Sequence, residues 1–162
     1  MTASASRSRG LAGDALSIAA PLAVGALGGA ITLPSIPTWY RGLRKPPWNP
    51  PEAVFGPVWT TLYLLMGVAL VLARHADPAG RSRAEAVFGL QLALNLGWSV
   101  AFFGRRDPAA GLVVILLLWA AIAATIGEFW GRRRLAAALL LPYLAWVTFA
   151  TVLNADIWRR ND

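Results

Sequence analysis

The sequence predicts an all-α fold: a polytopic membrane protein built as a bundle of five transmembrane helices. Three observations carry that prediction. Hydrophobic residues make up 57% of the chain and charged residues only 14%, whereas a soluble domain carries roughly 25% charged and about 45–50% apolar residues. Five stretches each reach the roughly 20 mostly apolar residues needed to cross the hydrocarbon core. The joints RHADPAGRSR, GRRDP and GRRR are short, and each carries Arg. Proline and glycine end helices there, and arginine suits the head-group level.

The expected spans are residues 11–33, 53–73, 84–103, 109–130 and 135–158, in one membrane domain over 1–162. MTASASRSRG leads into the first. That apolar run is long for a secretory leader and shows no persuasive small-residue cleavage site, so it reads as a span. Within it, Gly25 and Gly29 have the GxxxG spacing that lets another backbone approach closely. The longest connection, residues 34–52, holds WYRGLRKPPWNPP. Its prolines fix φ and restrict the residue before them, so the segment is stiff and continues neither helix.

In the second span Trp59, Tyr63 and Met66 fall at i, i+4 and i+7. The third span is two-sided. Gln91 and Asn95 share a face, which Trp98 extends. Gly89, Ala93 and Gly97 form a small-residue stripe nearly opposite, about 200° away. The small stripe suits packing against another helix or across a dimer. The polar face suits either an interior cavity or hydrogen bonds to neighbouring helices. Trp119 sits in the middle of the fourth span, and Tyr143, Trp146, Ala150 and Asn154 lie along the fifth. Trp130 and Trp158 fall at span ends, where indoles anchor at the interface. Trp59, Trp98, Trp119 and Trp146 lie further in and need a partner for Nε1–H if buried, which makes them pocket candidates.

Several classes of chemistry are excluded. The net charge of +7 and pI near 11.3 fit residues that cap spans and meet anionic lipid head groups, not a nucleic-acid surface. There is no cysteine and a single histidine, His75 beside a joint, so no thiolate or histidine-rich metal site is expected. All eight acidic residues lie at span ends or in joints, which argues against ion-coupled transport. No nucleophile motif, phosphate loop or carboxylate pair is present. Orientation is undetermined: the N-terminal side carries eight basic residues and the other side seven, which decides nothing under the positive-inside rule.

WYRGLRKPPWNPP strongly resembles the WYxxLxKPxWxPP signature of the TspO/MBR family. This family comprises the tryptophan-rich sensory proteins of bacteria and the translocator proteins, or peripheral benzodiazepine receptors, of mitochondria. PVWTTLYLLMG, QLALNLGWSVAFFG and LPYLAWVTFATVLNADIWRRN match in the same order. The resemblance implies a five-helix bundle, commonly dimeric, that binds porphyrins or haem as ligand, and benzodiazepine-type drugs, in a pocket covered by the first loop. No cofactor is required. By motif it assigns Tyr40, Trp59, Gln91, Asn95, Trp146 and Ala150 to the pocket. Mitochondrial members carry a tyrosine shortly after ATVLN, part of a proposed sterol motif of a weak kind. Here Ala155 and Asp156 follow instead, which puts sterol binding through that motif in doubt.

The loop reads as a lid. A stiff segment loses less entropy when ordered over a pocket, and indole and phenol rings tolerate a half-apolar, half-wet setting. Trp39, Tyr40 and Trp48 would stack near a flat ligand, with Arg41, Arg44 and Lys45 meeting its acid groups or lipid phosphates. The bland alternative is a surface anchor. The expected function is a receptor or sensor, with membrane lipid and a homodimer as partners. The alternatives are light-dependent porphyrin breakdown, with Tyr40, Trp59 and Trp146 as redox-active candidates, and a porphyrin or sterol transporter.

Overall fold

The computed structural model describes residues 2–77 and 80–162, with side chains from residue 10 onward. Arg7 and Arg9 of the leading segment and Pro78 of the second joint lie outside these descriptions. Helix α1 runs Thr2–Thr32, followed by the short α2 (Ser35–Thr38) and a 3-10 turn, Tyr40–Gly42. Then come α3 (Glu52–Ala76), α4 (Arg81–Ser99), a π turn (Val100–Gly104), α5 (Pro108–Trp130), α6 (Arg134–Ala138) and α7 (Leu141–Asn161). Among the described residues there is no strand. Five helical stretches are long and apolar enough to cross a membrane: Gly10–Thr38, Glu52–Ala76, Arg81–Gly104, Pro108–Trp130 and Arg134–Asn161. The all-α, five-span bundle is therefore as the sequence predicts.

Local chemistry sets the joints. Asp107 caps α5, its carboxylate accepting the Ala110 N–H at 2.9 Å, and Pro108 occupies the first turn. Proline is tolerated there because the first-turn N–H groups have no helical partner. Arg106 adopts φ 56° to turn the chain between the π turn and α5. The fifth span, expected to be continuous over 135–158, breaks between α6 and α7. Pro142 has no N–H to donate, and Leu140 N–H turns to Ala137 O at 3.0 Å.

α1 packs on α3 and α4, α4 on α5, α5 on α7, and α6 fills in against α3 and α5. The close backbone approach expected at Gly25 and Gly29 falls elsewhere. A Cβ on Gly67 would sit 2.8 Å from Ile18 Cα, so α1 and α3 nearly touch at that level. Gly25 is covered by the Tyr63 ring, while nothing lies within 4 Å of a Cβ built on Gly29. The two helices diverge toward the loop, and this corrects the GxxxG expectation. On α4, Gly89 and Ala93 are exposed.

The two ends of the bundle differ. At the N-terminal end Arg132, with 8% of its side chain exposed, joins Asp77 (2.8 Å) and Glu128 (2.6 Å). Arg83 pairs with Glu128 at 3.0 Å, and Asp14 with His75 at 2.9 Å. At the other end the 34–52 loop is strapped down. Ser35 Oγ donates to Phe103 O (2.9 Å). The Asn161 side chain accepts from Arg44 N–H (2.9 Å) and donates to Arg44 O (3.0 Å). The apolar core divides accordingly. A large cluster around Met66, Phe88, Ile122 and Val147 fills the N-terminal half. A smaller one of Tyr40, Phe102, Phe103, Leu153 and Ile157 lies under the loop.

Candidate functional site

Between the two cores lies a cavity of about 590 Å³. α1 and the start of the segment after it form one wall, from Leu22 to Ile36, and α3 forms another, from Glu52 to Tyr63. α4 and its π turn supply Asn95, Trp98, Ser99, Phe102 and Phe103, and α7 supplies Ala150, Leu153, Asn154 and Ile157. The π turn matters here. One extra residue in the turn lets the successive rings Phe102 and Phe103 both stay inside, 4.8 Å apart and edge-on. Such single turns often mark functional positions in helices.

The floor is a paired polar layer. Tyr63 Oη donates to Asn95 Oδ1 (2.6 Å), and Asn95 Nδ2 donates to Tyr143 Oη (2.9 Å). Trp98 Nε1 donates to Asn154 Oδ1 (3.1 Å), whose Nδ2 donates to Pro108 O (2.7 Å). These polar groups of the floor thus satisfy one another across four helices. Above the floor the rings are nearly parallel: Trp59 on Tyr63 (5.6 Å, 28°), Trp59 on Trp98 (6.3 Å, 29°) and Trp98 on Phe102 (5.6 Å, 28°). The result is an apolar run of stacked rings along one side of the cavity.

The loop roofs the cavity through Tyr40, which is 5% exposed and donates its hydroxyl to Asn49 Oδ1 at 3.1 Å. Burial is the largest influence on this phenol and helps push its pKa from 10.0 to about 12. Lys45 Nζ stands 4.5 Å over the same ring, and desolvation lowers its pKa from the ordinary lysine value. Arg41 holds the Glu52 carboxylate with two hydrogen bonds, 3.2 and 3.0 Å, at the cavity rim.

Of the residues singled out from sequence, Tyr40, Trp59, Asn95, Trp98 and Ala150 line this cavity. Trp39, Trp48, Gln91 and Trp146 do not. Trp39 backs the wall edge-on to Phe102 at 5.5 Å. Trp48 is 44% exposed and leans on Phe149 at 5.8 Å. Trp146 is wedged between Phe55 (5.8 Å) and Phe149 (5.3 Å), with Nε1 buried and unpartnered among the described residues. Gln91 sits one turn below the floor, its Nε2 3.9 Å from Met66 Sδ. Trp119, a pocket candidate by its mid-span position, instead points outward. It is 40% exposed and satisfies Nε1 on Thr148 Oγ1 at 2.8 Å.

Sequence reasoning read Gly25 and Gly29 of the α1 wall only as a packing motif and missed the rest of that wall and the π-turn phenylalanines. Tyr63 and Asn154 appeared only as members of stripes. A wall of small residues carries no chemical signature, and its role depends on where α1 leans.

The chain matches the model of the TspO/MBR family over residues 17–159. It is 45% identical over 149 residues to the tryptophan-rich protein TspO of Chlorobaculum tepidum, covering 91% of this chain and 94% of that one. It is 46% identical over 126 residues to the translocator protein of Homo sapiens, covering 76% and 75%. Against the tryptophan-rich sensory protein of Cereibacter sphaeroides it is 40% identical over 123 residues, covering 76% and 77%.

Proposed function

Because the chain belongs to the TspO/MBR family and carries five spanning helices, we propose that it is a membrane receptor or sensor for porphyrins and related tetrapyrroles. Flat benzodiazepine-type ligands would share the site. The observation that carries this reading is the stacked run of Tyr63, Trp59, Trp98 and Phe102 along a cavity of about 590 Å³. That volume falls within the roughly 300–1,000 Å³ of small-molecule sites. Aromatic rings prefer offset or edge contacts with other π systems, and the paired polar floor leaves few unmet hydrogen bonds for a ligand to supply. Arg41 and Lys45 stand near the rim to meet propionate groups, Arg41 exchanging Glu52 for a ligand acid. The site lies in a bacterial cell membrane in this reading, and a homodimer forms through the exposed Gly89–Ala93 face of α4.

The test is a titration with protoporphyrin IX in the dark, followed by tryptophan quenching. Saturable binding is expected, and Trp59→Leu should weaken it by about tenfold, or about 1.4 kcal/mol. Trp119→Leu, on the outer surface, should not. Linear quenching, or equal affinity in all three proteins, would sink the reading.

A second reading is light-driven oxidative breakdown of the bound porphyrin with dioxygen as oxidant. It is favoured by Tyr40 and Trp59 both lining the cavity. Porphyrin absorbance should then decay under light only with protein present, and more slowly in Trp59→Phe.

A further inference from the structure

The cavity is closed unevenly. Its lining residues from α4, the π turn and α7 are all buried or half-buried. The exposed lining residues are Ala26, Leu33, Glu52, Ala53, Gly56 and Thr60, and all of them lie on α3 or on α1 and the residue that follows it. These positions fall inside the stretches Gly10–Thr38 and Glu52–Ala76, which are apolar enough to span. Glu52 apart, they offer the bilayer an apolar rim, since the Thr60 hydroxyl donates back to Gly56 O at 3.0 Å.

The other seams are filled. Phe55, Trp146, Phe149 and Trp48 follow one another in edge-on and tilted contacts across the α3–α7 side. α1 meets α4 and its π turn tightly: a Cβ on Gly28 would stand 3.2 Å from Ser99 Oγ, and one on Gly104 would stand 3.3 Å from Ile31 Cγ2. The loop is held overhead by Ser35 on Phe103 and by Asn161 on Arg44. Between α1 and α3 the last glycine with a close neighbour on the facing helix is Gly25, against Tyr63. A Cβ on Gly29 or on Gly56 meets nothing within 4 Å.

From this geometry we infer that the slit between the loop-side halves of α1 and α3 is a lateral portal, through which a flat apolar acid dissolved in the bilayer slides edge-on into the cavity. The inference rests on the tetrapyrrole reading of that cavity. A planar amphiphile in a bilayer keeps its ring among the acyl chains and its acids at the head groups, the arrangement amphipathic anchors adopt. Such a molecule meets the slit in register. Ala26, Gly29, Ala53 and Gly56 put only small side chains on most of the lips, and Arg41, 63% exposed beside Glu52, stands at the head-group end to take the trailing acid. Entry from water would instead require the strapped loop to lift.

The experiment uses the full chain in lipid vesicles, with protoporphyrin IX mixed in by stopped flow and tryptophan quenching read over time. Gly29→Phe/Gly56→Phe places two rings across the slit in open space. Association and dissociation should slow together, each by about tenfold, so that Kd moves far less than either rate. Asn161→Ala, which releases the loop strap, should show no such slowing. If the double variant loses its fold or its affinity, Leu33→Trp on the exposed lip carries the same expectation. Saturable binding with rates unchanged in these lip variants would overturn the portal alone. Faster association in Asn161→Ala would place the entrance under the loop and overturn it too. Wild-type quenching that never saturates would remove the tetrapyrrole reading, and the portal with it.

Discussion

Asn95 ties three helices together with one side chain. It accepts from Tyr63 and donates to Tyr143, both across helix boundaries and out of water. Hydrogen bonds between membrane helices average only about 0.6 kcal/mol each, but an orphaned buried polar group costs about 1–3 kcal/mol. Asn95→Leu leaves the Tyr63 and Tyr143 hydroxyls without their shared partner. It should lower stability by about 1–3 kcal/mol, whereas Tyr63→Phe, which removes a donor and orphans less, should cost about 1 kcal/mol or less. Unfolding in mixed micelles reads both, and equal losses would refute the hub role. Tyr40 makes a second prediction, in alkali. Its pKa of about 12, against an ordinary 10.0, means the folded protein keeps a proton that the unfolded chain releases between those values. Stability contributed by the seated loop is therefore present below pH 10 and is lost as pH rises toward 12. The phenolate absorbance of wild type minus Tyr40→Phe should rise near pH 12; a rise near pH 10 would mean the ring is not buried. At this scale the sequence was legible where a residue was rare in its setting. An amide or an indole in mid-span is costly enough to need a reason, and Asn95, Trp59 and Trp98 each have one here. Trp119 and Trp146 show the limit: spacing places an indole on a helix but not on a side of the bundle.

The five spans were legible because each is an apolar run bounded by Arg, Gly or Pro. Departures from regular helix were not. The π turn at Val100–Gly104 has no sequence signal of its own, since it is a tertiary compromise that keeps Phe102 and Phe103 inside. The break before α7 was foreshadowed by Pro142, yet Pro21 and Pro57 are carried within α1 and α3, so proline alone did not decide it. Glycine spacing misled for a related reason. GxxxG marks a face that can be approached, and the approach occurs at Gly67, where Ile18 crosses. Gly67→Val should therefore overpack the α1–α3 crossing and cost about 1–3 kcal/mol. The outward Gly127, with nothing within 4 Å of a built Cβ, should accept alanine with a gain of up to about 1 kcal/mol. Thermal unfolding of the two variants should shift in opposite directions, and a neutral Gly67→Val would show that the crossing is loose.

The bundle as a whole is asymmetric along its axis. Its N-terminal half is a filled core closed by ion pairs around Arg132 and Glu128. Its loop-side half is hollow, roofed by a proline-stiffened strap and lined by stacked rings. That division explains why one end of the sequence pattern, WYRGLRKPPWNPP with the aromatic stripes beneath it, carried nearly all the functional information. It also explains why α1 was silent: α1 contributes shape and an edge, not chemistry. The most direct test of the cavity as the binding site is photolabelling with a diazirine-tethered protoporphyrin, followed by peptide mapping. Adducts are expected on residues 25–36, along the end of α1 and the start of the loop, and on 52–63 of α3, competed away by unlabelled porphyrin. Adducts confined to the outward faces of α4 and α5, or labelling that excess porphyrin does not reduce, would contradict it.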